Sequence, residues 1–411
     1  MICSPESLFP TTIIRHGELR DRKFNFQAHG RHQTAEMRVL ITGGAGFIGQ
    51  SLARSLVARG VSVVILDNFL PQVHGGSKQL PSDLTGQVKL VIGDVADRDA
   101  LSTALEDVDR IVHLAAETGT GQSMYEVTRY SRTNLHGTAV LFDLIANHKR
   151  DRIDRIVVAS SRAIYGEGAY FCQKDGVVYP QARTPEEKRA RRFEPICPVC
   201  KEDCIPAPTP EDAPERPSSF YGLTKLSQEK MALLFGQALE IPSVALRYQN
   251  VFGPGQSLQN PYTGILAIFS NLARAGKEIK VFEDGRESRD FVYIEDVVAA
   301  TMNALMRPLR GCHSVNVGSG NRVSVLEVAN LINARFGGKS AVRVEWIFRE
   351  GDIRHGFADL HRAREILDYK PAWDFGAGLE RFLTWAAASA PTSEGYERSL
   401  TEMRERGLLR A

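Results

Sequence analysis

Short apolar runs alternate with longer amphipathic stretches along most of this chain. From residue 37 onward, buried strands are indicated by the runs MRVLIT, VSVVILD, VKLVIGD, RIVHLAA and IDRIVVASS, which are short and mostly rich in β-branched residues. Helical patterns separate these runs. Strands that alternate with helices predict a parallel sheet covered by helices on both faces. The expected fold class is therefore α/β, with a doubly wound parallel sheet.

The same pattern divides the chain into segments. Residues 1–36 carry no sustained helical or strand period, so we expect a disordered and dispensable extension. Residues 37–250 contain the strand and helix repeats, and residues 251–411 are punctuated by Gly and Pro as in a smaller α/β domain that covers the carboxyl edge of the sheet. Residues 166–217 are polar and aperiodic, too long for an ordinary connection, and are interpreted as an insertion, a lid or a subdomain.

Composition narrows the class of protein. The 411 residues are 43% hydrophobic and 24% charged, and 51 Lys and Arg against 49 Asp and Glu leave a net charge of +2. That excess is too small to bind a polyanion by charge alone, so no nucleic-acid partner is expected. No run approaches the roughly 18 apolar residues needed to span a bilayer, and no secretory signal opens the chain. We expect a soluble, cytoplasmic protein without a membrane partner.

A glycine motif follows the first strand. Gly43, Gly46 and Gly49 come directly after MRVLIT and open a helix, an arrangement that lets a pyrophosphate approach the backbone at the positive helix end. The next strand ends at Asp67, whose carboxylate can accept both adenosine ribose hydroxyls and would repel a 2′-phosphate. The motif predicts a Rossmann-type site for NAD rather than NADP. A solvated Asp at a strand end is the alternative for Asp67.

A second motif carries acid/base chemistry. Tyr221 and Lys225 are four residues apart in FYGLTKLSQEKMALLFGQAL, a spacing that places both on one helical face. A phenol with a reference pKa of about 10 is a weak base at neutral pH, but a nearby ammonium and a bound nicotinamide cation would stabilise the phenolate. The strand VVASS ends in a candidate hydroxyl partner, Ser161. A tyrosine and a lysine at this spacing are usually a surface pair. The motif becomes specific here because it follows the glycine motif and the strand VVASS.

The chain resembles the extended short-chain dehydrogenase/reductases that modify nucleotide sugars. The resemblance covers residues 37–385 and rests on segments in the family's order: TGGAGFIG, LDNF, GDVAD, VHLAA, NLHGT, SSRAIYG, YGLTK, LRYQNVFGPG, RDFVYIEDV, VNVGSG and REGDIRHGFAD. It implies that residues 37–250 bind NAD and residues 251–411 bind the nucleotide sugar. Ser161 is then the triad hydroxyl, Tyr221 the acid/base and Lys225 its partner.

The resemblance also implies contact residues for both ligands. Those for the cofactor are Gly43, Gly46, Phe47, Ile48, Gly49, Asp67, Asn68, Asp94, Val95, Leu114, Ala115, Ala116, Asn134, Tyr221, Lys225 and Tyr248. Those for the substrate are Thr118, Ser161, Arg162, Asn250, Arg289, Arg349 and Asp352. The arginines suit this role because a guanidinium pairs bidentately with phosphate. Surface ion pairs, such as Arg289 with Asp290, are the alternative.

One departure from the family pattern bears on the reaction. Relatives that dehydrate or decarboxylate the sugar resemble Thr-Asp-Glu or Thr-Glu where this chain has Ser161, Arg162 and Ala163. The second acid that a leaving hydroxyl needs is missing, so epimerisation at carbon 4 is favoured. The insertion and the ending RSLTEMRERGLL resemble the branch that contains the dTDP-L-rhamnose 4-epimerases. UDP-glucose or UDP-N-acetylglucosamine 4-epimerases, 4-ketosugar reductases and an NAD-binding sensor without turnover remain alternatives.

The cysteines and two helices suggest further features. Cys197, Cys200 and Cys204 are bunched in the insertion, with Cys172 upstream, and we predict a structural zinc on these four thiols, with Cys204 either the fourth ligand or a bystander. The set is irregular, because Cys172 is followed three residues later by Asp175 rather than by a cysteine; free thiols are the alternative. The helices predicted at residues 125–148 and 218–239 carry apolar stripes, and by resemblance they pair in a homodimer, although such stripes also occur in a core.

Overall fold

The computed structural model of the protein describes residues 37–260, 262, 264–389 and 394–411. The predicted extension, residues 1–36, lies outside the described residues. In chain order the strands are β1 (Arg38–Thr42), β2 (Ser62–Asp67), β3 (Lys89–Ile92), β4 (Arg110–His113), β5 (Arg155–Ser161), β6 (Tyr170–Cys172), β7 (Gly176–Val178), β8 (Ile205–Pro206), β9 (Ser243–Tyr248), β10 (Asn250–Phe252), β11 (Ile279–Val281), β12 (Ser288–Arg289), β13 (Phe291–Tyr293), β14 (Cys312–Val317), β15 (Val323–Ser324), β16 (Val342–Val344), β17 (Phe348–Arg349), β18 (His355–Gly356) and β19 (Leu409–Arg410).

The helices lie between these strands. In chain order they are α1 (Phe47–Val57), α2 (Pro71–His74), α3 (Arg98–Ala104), α4 (Thr120–Ser123), α5 (Val127–Tyr130), α6 (Gly137–Leu144), α7 (Pro185–Arg189), α8 (Phe220–Ala238), α9 (Ile265–Arg274), α10 (Ile294–Met306), α11 (Val325–Arg335), α12 (His361–Leu367), α13 (Phe375–Ala387) and α14 (Glu394–Glu405). Two π-helical stretches, Ser131–His136 and Ile145–Lys149, join α5 and α6 into one helix over residues 127–149, and Arg162–Ile164 forms a 3₁₀ turn. No helix in the described part of the chain is long and apolar enough to cross a membrane.

A seven-stranded parallel sheet confirms the predicted α/β fold. Its strand order is β14-β9-β5-β4-β1-β2-β3, with Leu40 of β1 opposite Val64 of β2 on one side and Ile111 of β4 on the other. The chain leaves β1 in one direction for β2 and β3 and then crosses back to β4. In such sheets a ligand binds outside the carboxyl ends of the strands, where the strand order reverses. The fold therefore places a site beyond β1 and β4.

Each face of the sheet has its own apolar core. Successive side chains of a strand point to opposite faces, and accordingly Val39 and Ile41 pack in one core while Leu40 packs in the other. Helices α1 and α10 cover the first face, and α3, α6 and α8 cover the second. This double cover explains why the strand segments are almost continuously apolar in sequence.

The sheet crosses the predicted boundary at residue 250. Strand β14 pairs with β9 in parallel, and α10 packs against α1 and β5, although both elements come after that residue. The rest of the later chain forms small sheets: β10 with β13, β11 with β16, β12 between β15 and β18, and β17 with β19. It remains a prediction that residues 37–250 bind NAD and residues 251–411 bind the nucleotide sugar.

The insertion at residues 166–217 has a regular structure of its own. Strand β6 lies between β7 and β8 in an antiparallel sheet, and α7 begins with a capping box in which Thr184 and Glu187 satisfy each other's backbone N–H groups. Thr209 forms a bridge with Ala358, so the insertion is joined to the later part of the chain. Its strands have two or three residues each, which is why the sequence shows no strand period there.

Candidate active site

One cavity of 580 Å³ lies beyond the carboxyl ends of the sheet strands and collects residues from across the chain. Its wall contains nearly all the predicted ligand contacts. From the cofactor set these are Gly43, Gly46, Phe47, Ile48, Gly49, Asp67, Asn68, Val95, Leu114, Ala115, Ala116, Tyr221, Lys225 and Tyr248. From the substrate set they are Thr118, Ser161, Arg162, Asn250, Arg289, Arg349 and Asp352.

The glycine turn between β1 and α1 is shaped for close approach. Gly43 has a φ of +69°, and a Cβ there would lie 2.8 Å from the backbone nitrogen of Ala115. A Cβ on Gly49 would lie 2.6 Å from the carbonyl oxygen of Gly43. Gly46, the residue before α1, offers no side-chain cap to the helix, so the first N–H groups are available to an anion. The turn thus forms a backbone cradle for a pyrophosphate.

Asp67 ends β2 at the edge of this cradle. Its carboxylate is buried and accepts hydrogen bonds from the backbone N–H groups of Ala45 (3.0 Å) and Phe69 (2.8 Å). Each carboxylate oxygen has two lone pairs, so both oxygens can still accept a ribose hydroxyl. The side chain is held in place for the role that the sequence predicts.

Ser161, Tyr221 and Lys225 all line the cavity. Ser161 ends β5, and Tyr221 lies in the first turn of α8, where its backbone N–H donates to the Ser123 hydroxyl at 2.9 Å. Burial raises the pKa of Tyr221, while a hydrogen bond with Ser161 and the charge of Arg162 oppose that rise. Burial outweighs these two groups, so the pKa of the phenol lies above its ordinary value.

A buried polar network holds Lys225 behind the tyrosine. Its Nζ donates to Gln228 Oε1 at 2.7 Å, and burial lowers the pKa of Lys225 to about 7. Gln228 in turn contacts Thr138 Oγ1 at 2.8 Å and His113 at 3.2 Å. Burial and the nearby Lys225 lower the pKa of His113 to about 3, so this ring is neutral. Gln228 and His113 were not predicted from the sequence, although Gln228 lies three residues after Lys225 on the same helix face.

The part of the cavity wall with Arg162, Arg289 and Arg349 carries excess positive charge. Arg349 forms an ion pair with Asp352 at 2.9 Å. Burial raises the pKa of the Asp352 carboxyl, but the charges of Arg349 and Arg289 outweigh burial, so the pKa lies below its ordinary value. Arg289 instead donates to the backbone carbonyls of Arg354 and Ile353, and Arg162 donates to the Asn250 side chain at 2.7 Å. Within the described residues neither Arg162 nor Arg289 forms an ion pair with a carboxylate. Burial and Arg289 lower the pKa of Arg162 to about 9, so this arginine cluster favours an anion.

The carboxyl-terminal segment closes this side. Strand β19 pairs antiparallel with β17, so Leu409 lies opposite Arg349. Four residues of α14 line the cavity: Tyr396, Ser399, Leu400 and Met403. The Glu402 carboxylate accepts hydrogen bonds from the hydroxyls of Tyr125 (3.0 Å) and Tyr262 (2.8 Å). These residues were not predicted from the sequence, although the amphipathic pattern at the end of the chain indicates a helix with one apolar face.

Two predicted cofactor contacts lie just outside the wall. Asp94 accepts hydrogen bonds from Asn68 (3.2 Å) and from the backbone of Ala96 (2.8 Å). Asn134 is fully buried and joins the backbone of Glu117 to the Thr224 hydroxyl of α8. It thereby positions the loop after β4 against the helix that carries Tyr221. Direct contact of either side chain with a cofactor remains a prediction.

The predicted metal ligands in the insertion are brought together only in part. Cys172, Cys197 and Cys200 place their Sγ atoms with a carboxylate oxygen of Asp175 in a group within 4.8 Å of one another. Cys204, predicted as a fourth ligand, is not in this group, because its Sγ donates to the carbonyl of Pro195 at 3.1 Å. The group lies outside the cavity.

Comparison with known proteins places the chain in a family. The sequence pattern of the GDP-mannose 4,6 dehydratase family matches residues 40–183, and that of the NAD dependent epimerase/dehydratase family matches residues 198–318. A dTDP-L-rhamnose 4-epimerase from Burkholderia thailandensis is 40% identical over 352 residues, which cover 85% of this chain and 95% of that protein. The chain belongs to the extended short-chain dehydrogenase/reductases, among the NAD-dependent epimerases and dehydratases. The predicted family and fold class are thereby confirmed.

Two further relatives agree with this assignment. A UDP-glucose 4-epimerase from Mycolicibacterium smegmatis is 29% identical, with 84% of this chain and 96% of that protein covered. The structure of MoeE5 in complex with UDP-glucuronic acid and NAD superposes with a TM-score of 0.66 at 29% identity, covering 85% of this chain and 99% of MoeE5. The protein is an enzyme of the isomerase class, an NAD-dependent epimerase.

Proposed function

We propose that this enzyme epimerises carbon 4 of a nucleotide sugar through a 4-keto intermediate, with dTDP-L-rhamnose and dTDP-6-deoxy-L-talose as substrate and product. The observation that carries the proposal is a single cavity lined both by Ser161, Tyr221 and Lys225 and by the arginines Arg162 and Arg289. The first group can transfer a proton, and the second can hold a diphosphate.

The residues present fit NAD. The cradle at Gly43 and Gly49 has no room for a Cβ, and Asp67 lies beside it with a carboxylate that would repel a 2′-phosphate. Lys225 and Tyr248 line the same cavity and would hold the nicotinamide end. When bound, NAD supplies a hydride acceptor at carbon 4 that returns the hydride at the end of the cycle.

Tyr221 is the proton-transfer residue. Its phenolate oxygen takes the proton of the carbon 4 hydroxyl as the C–H bond is lost and the carbonyl forms, and it returns that proton when the C–H bond forms on the other face. In its protonated form Lys225 stabilises the phenolate. Ser161 forms a hydrogen bond with Tyr221 and orients the carbon 4 hydroxyl of the sugar. Between the two half-reactions the flat keto sugar must rotate.

The side chains after Ser161 disfavour water elimination. Dehydration needs an acid that protonates a leaving hydroxyl, whereas the 3₁₀ turn that follows Ser161 carries Arg162 and Ala163. The Arg162 guanidinium donates to Asn250 instead. One acid/base and one reversible hydride acceptor are sufficient for epimerisation.

The arginine cluster and the relatives support a nucleotide sugar as substrate. Guanidinium groups bind diphosphates bidentately, and MoeE5 binds UDP-glucuronic acid in its structure. The choice of dTDP-L-rhamnose rests on the 40% identical relative. UDP-glucose is the second candidate, because a 29% identical relative is a UDP-glucose 4-epimerase.

Assembly and location belong to the same proposal. We expect a homodimer through the helix over residues 127–149 and α8, which expose the apolar side chains of Val127, Leu223 and Leu234. Leu223 and Leu234 are eleven residues apart in α8, so they lie on the same face of the helix. A cytoplasmic location and a role in polysaccharide biosynthesis remain predictions.

A panel of nucleotide sugars incubated without added NAD tests the proposal. We expect dTDP-L-rhamnose to reach equilibrium with dTDP-6-deoxy-L-talose, and denaturation of the purified protein to release NAD. Turnover of UDP-glucose alone would shift the assignment to the second candidate. Turnover of none of these sugars by NAD-loaded protein would overturn the epimerase proposal, and NADP in the supernatant would overturn the role of Asp67.

A further inference from the structure

Two tight turns of the insertion face each other. The first joins β6 to β7 and contains Cys172 and Asp175. The second is closed by a bridge between Ile196 and Asp203 and by a hydrogen bond from the Cys197 N–H to the Glu202 carbonyl at 2.8 Å. Each turn presents two ligand-type side chains at a spacing of i and i+3: Cys172 with Asp175, and Cys197 with Cys200.

The four ligand atoms converge on one point. Sγ of Cys172 lies 3.4 Å from Sγ of Cys200 and 3.5 Å from Oδ2 of Asp175. Sγ of Cys197 lies 3.1 Å from the same carboxylate oxygen, and all four atoms are within 4.8 Å of one another. Three thiols and one carboxylate therefore form a compact four-cornered group.

These distances suit a tetrahedral metal better than a disulfide. Zinc binds thiolate at about 2.3 Å and carboxylate oxygen at about 2.0–2.2 Å, so neighbouring ligand atoms around it are about 3.5–3.8 Å apart. A disulfide needs sulfur atoms about 2.05 Å apart, far less than the separation of Cys172 and Cys200. Thiolate ligands favour zinc over magnesium or calcium.

We propose that Cys172, Asp175, Cys197 and Cys200 bind one structural Zn²⁺ ion that holds the two turns of the insertion together. The backbone N–H of Val199 points at Sγ of Cys197 at 3.4 Å, an outer contact typical of ligating groups. Lys174 and Glu202 form an ion pair between the same two turns. Four protein ligands leave no open position, so the metal takes no part in the sugar chemistry.

The small apolar core of the insertion explains why a bound metal would stabilise it. The apolar cluster around the two turns consists of a few side chains, three of them cysteines: Tyr170, Cys172, Val178, Cys197 and Cys204, with Cys200 packed against them. So small a core stabilises little by itself. Metal binding to a site that forms only on folding adds its free energy to folding.

The segment between the turns reaches the substrate side of the cavity. Arg183 is buried, pairs with Glu283 at 2.8 Å and donates to the backbone carbonyl of Asp352 at 3.1 Å. Glu194 pairs with Arg354 and with His355. Loss of the metal is therefore expected to raise KM for the nucleotide sugar severalfold while bound NAD is retained. This second readout rests on the proposed function, whereas metal content does not.

Elemental analysis of the full chain, purified without chelator, is the first test. We expect about one zinc per chain in the wild type and in Cys204→Ser, since a closed structural site holds one ion. Cys204→Ser is the matched control, because this cysteine lies in the same cluster outside the ligand group. Cys197→Ser and Cys200→Ser should lose the zinc, and Asp175→Cys should keep it. Zinc in Asp175→Ala but not in Cys204→Ser would overturn the ligand set.

The wild-type protein gives a test that needs no variant. Exchange of zinc for Co²⁺ should produce thiolate-to-cobalt charge-transfer absorption and tetrahedral d–d bands, with an intensity appropriate to three sulfur ligands. Absence of both metals from folded protein, with all its thiols open to a thiol reagent, would overturn the proposal. A Cys172–Cys200 disulfide found by mass spectrometry would also overturn it.

Discussion

We propose that two parts of the cavity wall bind anionic groups by different means. On the side predicted to hold NAD, here called the NAD side, the decisive features are the missing Cβ atoms at Gly43 and Gly49. On the nucleotide-sugar side the wall is made of charged side chains, Arg162, Arg289 and Arg349, drawn from segments far apart in the chain. The first side depends on glycines that lack a Cβ atom within one local turn. The second side depends on arginine side chains from segments far apart in the chain. The difference predicts different responses to substitution.

The largest effect is expected where the two sides meet, at Tyr221. Tyr221→Phe removes the proton-transfer group and little of the cofactor contact, so kcat should fall by roughly 10²- to 10⁴-fold while NAD stays bound. Turnover of the nucleotide sugar and NAD released on denaturation are the two measurements. Wild-type turnover in this variant would remove Tyr221 from the mechanism.

A methyl group on the NAD side should expel the cofactor. Gly43→Ala places a Cβ 2.8 Å from the Ala115 nitrogen at a positive φ, so we expect purified protein with little NAD. Gly60→Ala is the matched control, because Gly60 also has a positive φ, of +72°, but no described atom beyond its chain neighbours lies within 4 Å of where its Cβ would be. Equal NAD content in the two variants would show that close approach of the backbone at Gly43 is not needed for NAD binding.

On the nucleotide-sugar side, loss of one charge should weaken substrate binding without loss of NAD. Arg289→Met is expected to raise KM by about 10- to 100-fold, since a hydrogen bond to a charged group is worth about 1.5–3 kcal/mol. Arg286→Met, an exposed neighbour, should change KM little. A fall in NAD content in Arg289→Met would contradict the separation of the two sides.

The smallest effect concerns pH. Burial raises the pKa of Glu287 to about 8, with Arg289 opposing this rise and Glu283 adding to it, and Glu287 lines the cavity. The carboxyl is neutral at pH 7 and ionises as the pH rises through 8, when it repels a bound diphosphate. KM should therefore rise about two- to tenfold between pH 7 and 9, since one pKa unit corresponds to about tenfold in affinity.

Glu287→Gln keeps the shape of that side chain without the charge. Its KM should stay nearly constant between pH 7 and 9, at the value that the wild type has at pH 7. If KM of this variant rose with pH as it does in the wild type, the pH dependence would belong to another group. Loss of NAD at high pH in the wild type would also assign it elsewhere.

The predicted NAD contacts rest on local sequence signals. Gly43, Gly46 and Gly49 follow one strand and Asp67 ends the next, and the structure places all four in the wall of one cavity. That a pyrophosphate binds there remains a prediction. The helix with Tyr221 and Lys225 was placed within two residues of its observed bounds, Phe220–Ala238. For Asn134 the resemblance implies a cofactor contact, which remains a prediction, and the fold shows its side chain bonded to Glu117 and Thr224.

Periodicity and spacing are short-range properties, and they were enough to predict the α/β sheet, the glycine turn and the placement of Tyr221 and Lys225 on one helix face. The sequence did not predict that α14 covers the arginine side, that Gln228 accepts a hydrogen bond from Lys225, or that Asp175 rather than Cys204 joins the other three cysteines. The first and the last of these depend on contacts between segments far apart in the chain. Their side chains meet because packing of the sheet, the insertion and the carboxyl-terminal segment brings them into reach.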